Sequence, residues 1–167
     1  LQAGRVEVGF LGAAQVDKYA NLNSTVIGDY DDPEVRLPGA GGAPEIAALA
    51  KETLIIINHD PRKLVEKVDF VTSAGYLSGG DARARAGLKG GPIAVITDLG
   101  VLRPESETKE LVVTQLHAGV TREQVVESTG WEIRFASEVS TTPPPTEMEL
   151  TVLRDLVERT EAAHSGK

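Results

Sequence analysis

The chain has 167 residues, a net charge of −8, 41% hydrophobic and 25% charged residues, but only 4% aromatic ones. That length supports one domain with a real core, and so few rings leave Val, Leu, Ile and Ala to build it. The acidic balance argues against sequence-independent nucleic-acid binding and anionic membrane surfaces. The absence of cysteine removes disulfides, thiolate metal sites and a cysteine nucleophile.

A cysteine-free chain fits the cytoplasm, and no apolar run approaches the roughly 20 residues of a membrane span. The opening "LQAGRVEVGFLGA" enters a strand-like run almost at once and has no initiator Met. Leu1 is therefore expected to lie inside a single domain, covering 1–167, that lacks its N-terminal segment.

In chain order, "VEVGFLGA" (6–13) predicts a buried strand and "STVIGDY" (24–30) a second one, ending in an acidic turn. "PEIAALAKE" (44–52) has helical apolar spacing, and "TLIIIN" (53–58) is a continuous apolar run suited to a parallel strand covered on both faces. In "HDPRKLVEKV", Asp60 can cap a helix and Pro61 fits its first position. "DFVTSAG" (69–75) predicts a strand. The glycine-rich, basic stretch 75–92 is long for a plain connection, which points to a functional or interface loop. "IAVITDLGVLR" (93–103) predicts one strand, and "LVVTQLH" (111–117) another that can pair with it as a hairpin. Thr121 and Gln124 have capping-box spacing, with Gly130 as the expected stop. "WEIRFA" (131–136) alternates like a strand. A proline-stiffened entry leads to a last helix, where Thr146 and Glu149 form a second capping box and Leu150, Leu153, Leu156 and Val157 make one apolar stripe. The tail "HSGK" is expected to fray. Strands alternating with helices indicate an α/β fold.

The stretch "LPGAGGAPEI" sets glycines directly before a helix. Glycine admits positive φ and lets backbone amides approach a ligand with no Cβ in the way. Such a turn can stabilise an oxyanion or hold a phosphate, or it can serve tight packing alone.

Several motifs agree on a resemblance. "LGAAQVDKYANLN", "GAGG", "VDFVTSAGYLSG", "VITDLGV", "LHAGVTREQVVESTG" and "PPPTEMEL" are similar, in this order, to the B subunit of family I CoA-transferases, particularly the glutaconate CoA-transferase branch. The resemblance implies a CoA-transferase-like α/β fold with a largely parallel sheet flanked by helices. It implies an A subunit as partner, an active site between the two, and coenzyme A as substrate rather than as a bound cofactor. It also implies a nucleophilic glutamate that attacks the acyl-CoA thioester and a glutamyl-CoA intermediate. That glutamate belongs to a turn upstream of Leu1. Gly41 and Gly42 correspond to the turn whose amides would stabilise the oxyanion, and Gln15, Asp17 and Asn21 would lie near the acyl group. As a polar turn, those three can equally satisfy local backbone.

Other residues carry weaker signals. Glu127 reads as a solvated helix residue, and Glu45 as a favourable charge at a helix start. His59, His117 and His164 lack metal-ligand spacing, and His117 reads as structural. Arg83, Arg85 and Lys89 could meet CoA phosphates or simply face solvent. CoA-ester hydrolysis or lysis on the same fold, and a non-catalytic partner subunit, remain open alternatives.

Overall fold

The computed structural model describes residues 1–165. Its first strand, β1 (Val8–Leu11), buries Gly9 and Leu11 and leaves Val8 and Phe10 exposed. The "AAQVDKYANLN" segment, read from sequence as a turn, instead forms two short strands, β2 (Gln15–Asp17) and β3 (Leu22–Asn23). A hairpin of β4 (Val26–Gly28) and β5 (Pro33–Arg36) carries the acidic turn. The glycine turn then opens α1 (Ala43–Leu49), with Pro44 in its first turn. α1 packs on β1: a Cβ at Gly9 would collide with Ile46. The apolar run follows as β6 (Glu52–Ile56).

Three expectations between residues 60 and 103 fail. The helix expected after Asp60 is a turn leading to β7 (Leu64–Val65). Asp60 does act as a cap, but of a turn: its carboxylate accepts from the Arg62 amide, and its carbonyl accepts from the Lys63 and Leu64 amides. Val16 then draws the chain into a parallel pair by donating to the Lys63 carbonyl. The strand expected over 69–75 is irregular, touching β3 only through a bridge from Ser73 to Leu22. A short helix, α2 (Ala82–Arg85), follows. The strand expected over 93–103 breaks into β8 (Pro92–Ile96) and β9 (Gly100–Pro104). Thr97 makes that break, its hydroxyl accepting from the Leu99 and Gly100 amides.

β10 (Leu111–Leu116) pairs antiparallel with β9, as the hairpin reading expects. α3 (Arg122–Glu127) has both arms of the Thr121–Gln124 capping box. It ends before Gly130, whose amide instead bonds the Leu64 carbonyl. β11 (Arg134–Thr141) starts later and runs longer than expected. α4 (Glu147–His164) has its capping box complete, yet Met148, Val152, Leu153, Leu156 and Val157 are all exposed. Of the tail, Gly166 and Lys167 lie outside the described residues.

The central sheet has the order β1-β6-β8-β9-β10-β11. Every neighbouring pair is parallel except those involving β9. A three-stranded sheet, β3-β2-β7, sits apart from it. Between them lies an aliphatic core that includes Val16, Ile55, Leu64, Val95, Leu102 and Leu111, closed by Trp131. This is the α/β fold with a largely parallel sheet that the pattern predicts.

Candidate functional site

The glycine turn is held in place from one side by Ser24. The Gly39 amide donates to the Ser24 carbonyl at 2.9 Å, and the Ser24 hydroxyl donates to the Gly39 carbonyl at 3.0 Å. Ser24 is fixed in turn by Thr72, whose hydroxyl accepts from the Ser24 amide and shares a hydrogen with Thr25. Beyond that anchor the Ala40 and Gly42 carbonyls accept from the Ala43 and Ile46 amides. Gly41 sits at φ +51° with open space where a Cβ would be. Gly42 caps α1 at φ −93° with equally open space, and no side chain caps the helix there. Both glycines are exposed. Among the described residues their amides have no hydrogen-bond partner. Two adjacent N–H groups on exposed residues are thus left without a partner, an arrangement that can accept a developing oxyanion. Only Gly41 has a backbone that demands glycine.

Gln15, Asp17 and Asn21 are brought together, but their polar atoms point into the protein. Gln15 is 6% exposed; its amide donates to Asp69 and its carbonyl accepts from Asn23 and from the Asp69 amide. Asp17 accepts from the Tyr19 amide and from both the backbone and the side chain of Asn21. Burial pushes its carboxyl above the ordinary value, and the bonds from Asn21, Tyr19 and Val68 oppose that shift. Asn21 accepts from the Gly75 and Leu77 amides and donates to the Leu77 carbonyl. It thereby clamps Leu77, a non-glycine residue at φ +57°. Asp17 and Asn21 also line a cleft of about 630 Å³ with Tyr19, Val68, Leu77 and Ser78, whereas Gly41 and Gly42 lie outside its lining.

The link between the two groups runs through Asn23. Its side chain donates to Gln15 and to the Val26 carbonyl, and accepts from the Thr25 and Val26 amides. Asn23 therefore shapes the turn that presents Ser24 to Gly39. The roles of Asp69, Thr72 and Ser24 escape sequence reading, because each acts across more than a dozen residues of chain. An acid and a hydroxyl inside an otherwise apolar run, as in "DFVTSAG", is the signal that could have exposed two of them.

The basic loop divides. Arg85 and Lys89 are exposed, and Arg85 pairs with Asp81. Arg83 is 3% exposed and donates only to backbone carbonyls, so it is not available to CoA phosphates.

The histidines hold strand ends together. His117 lies between the Thr97 carbonyl at 2.8 Å and the Thr142 hydroxyl at 2.9 Å, a structural role. Buried His59 sits between the hydroxyls of Thr97 and Thr129. Burial lowers its pKa from the ordinary 6.5, and the Asp98 charge opposes that shift. Among the described residues no group of three or more His, Cys, Asp or Glu could hold a metal ion. No helix of the described residues is long and apolar enough to cross a membrane.

Comparison with known proteins points the same way as the glycine turn. The chain is 61% identical over 165 residues to the B subunit of 3-oxoadipate CoA-transferase from Pseudomonas knackmussii, covering 98% of this chain and 64% of that one. It is 39% identical over 139 residues to the B subunit of glutaconate CoA-transferase from Acidaminococcus fermentans, covering 82% and 52% respectively. The crystal structure of glutaconate coenzyme A-transferase from the same organism superposes with a TM-score of 0.82 at 36% identity, over 92% of this chain and 58% of that one. The chain thus spans less than two thirds of the length of these relatives. The coenzyme A transferase family itself matches residues 1–128. On the sequence match, the superposition and the shared fold, the chain belongs to the coenzyme A transferase family.

Proposed function

We propose that this chain is the B-subunit portion of a CoA-transferase that moves CoA from an acyl-CoA to a dicarboxylic acid, working in the cytoplasm with an A subunit. The observation that carries the reading is the exposed Gly41–Gly42 turn, with two unpartnered amides and no side chain in the way. The glutaconate and 3-oxoadipate enzymes are both named for diacids, which favours that substrate class.

In this reading a glutamate carboxylate attacks the thioester carbonyl and forms a mixed anhydride as CoA leaves as its thiolate. The thiolate then attacks the glutamyl carbonyl of the anhydride, which releases the donor acid and leaves a glutamyl-CoA thioester. The acceptor diacid repeats the two steps in reverse, so no water is consumed and the carboxylate is regenerated. Each attack raises an oxyanion that Gly41 and Gly42 would stabilise. Three glutamates in this part of the chain are engaged or face solvent: Glu7 pairs with Lys51, Glu45 sits in the first turn of α1, and Glu34 is exposed. Glu127, farther along, is exposed on α3. By the resemblance, the attacking glutamate would belong to a turn that precedes "VEVGFLGA" in the longer protein. Gln15, Asp17 and Asn21 act on the substrate indirectly, by shaping the cleft and the turn.

The test is an assay of the full-length subunit together with its A subunit, with an acyl-CoA donor and glutaconate or 3-oxoadipate as acceptor. Transfer that requires the acceptor, with inactivation by borohydride only after acyl-CoA is added, is the expected result. Thioester loss at the same rate without any acceptor acid would replace transfer by hydrolysis.

A further inference from the structure

We propose that Arg83 is a positioning residue for the glycine turn, acting through the C-terminal end of α1. The proposal rests on the reading of Gly41 and Gly42 given above. Arg83 lies on α2, in a loop whose basic residues look from sequence like surface charges. The residue is instead only 3% exposed, and its guanidinium makes five bonds to five carbonyls. Nε donates to Gly90 at 3.0 Å. Nη1 donates to Ala74 and Gly75, both at 2.9 Å. Nη2 donates to Ala47 and Lys89, both at 2.7 Å. Its donor capacity is thereby filled. None of the ion pairs among the described residues includes it. A buried cation is costly without compensation, so a site that meets all five donors with carbonyls and offers no acid is built for their geometry.

The Ala47 carbonyl is the bond that matters for the site. α1 has only seven residues, no side-chain cap at Gly42 and no basic residue in its last turn. A helix this short is marginal without tertiary support. At its C-terminal end the Ala50 amide takes the Ile46 carbonyl, but the Lys51 amide turns away to Val6. Ala47 is thus left for Arg83, which also places a positive charge at the negative end of the helix. The same guanidinium ties α1 to the 74–75 turn, which Asn21 clamps through the Gly75 amide. It also ties it to the 89–90 turn, where Gly90 packs against the Lys51 backbone. The glycine turn is therefore fixed at two points: Ser24 through Gly39 on one side, and Arg83 through α1 on the other. A lysine cannot replace this, because a single ammonium cannot reach five carbonyls arranged around a planar fork.

The experiment uses the full-length subunit in complex with its A subunit, as wild type, Arg83→Lys, Arg83→Met and, as a control at an exposed arginine of α4, Arg159→Met. Transfer kinetics and amide hydrogen exchange over residues 39–47 are measured together. The expected result for Arg83→Lys is faster exchange in 39–47, a kcat lowered by roughly 10- to 100-fold, and a KM for acyl-CoA within about twofold, since small misplacements act on turnover. Arg159→Met should match wild type in both. Unchanged exchange in a folded Arg83→Lys protein overturns the proposal. So does a raised KM with kcat intact, which would mark a CoA contact. Loss of folding in both Arg83 variants overturns it too, since the role would then be general stability. Faster exchange with both kcat and KM intact upholds the positioning role and removes the oxyanion role of Gly41 and Gly42.

Discussion

Gly42→Val separates packing from chemistry at the glycine turn, because its two effects differ in size. The structure offers no steric reason for glycine at this position: an added Cβ meets nothing within 4 Å, and φ is −93°, open to any L residue. Valine is a poorer helix cap than glycine, by about 1 kcal/mol. Stiffening the unfolded chain returns about 0.4–1 kcal/mol. The net change in stability is near zero, and Tm should move by less than about 4 °C. The isopropyl group would, however, crowd the approach to the unpartnered Gly41 and Gly42 amides. Losing one oxyanion donor costs about 3 kcal/mol, a factor of 10²–10³ in kcat. The oxyanion exists only in the transition state, so the loss should fall on kcat rather than on acyl-CoA binding. Gly41 would be a poorer probe, since a side chain at φ +51° adds about 1–2 kcal/mol of backbone strain. The assay is steady-state transfer by the full-length subunit with its partner, paired with thermal unfolding. A kcat within about threefold of wild type, at unchanged Tm, would refute the oxyanion role and leave the turn a matter of packing.

The buried polar groups give two more expected outcomes. Asn21→Ala strands the Gly75 and Leu77 amides at about 1–3 kcal/mol each; urea unfolding should show a loss of about 3 kcal/mol or more, and a loss below about 1 kcal/mol would mean that water replaces the side chain. Because burial lowers the His59 pKa from 6.5, the unfolded chain binds the extra proton. Stability should then rise with pH from the lowered folded value up to 6.5 and stay level above it, and His59→Asn should flatten that slope in urea titrations.

What the sequence determined by itself is local. The capping boxes at Thr121–Gln124 and Thr146–Glu149 form as their spacing predicts, because a cap joins groups only three residues apart. A continuous apolar run announced β6, which sits inside the sheet, and Pro44 with its glycines announced the start of α1. The same local logic misled where a signal has two structural outcomes. Asp60 and Pro61 can start a helix or a turn, and pairing of Lys63 and Leu64 with Val16 chose the turn. Only the tertiary structure decided the meaning of the buried polar residues. Gln15, Asp17, Asn21 and Arg83 carry the same side chains whether they bind substrate or carbonyls. Burial at 2–6% exposure and partners up to 56 residues away turn them inward. Desolvated polar groups must find such partners, and those partners come from chain segments that meet only once the fold has formed.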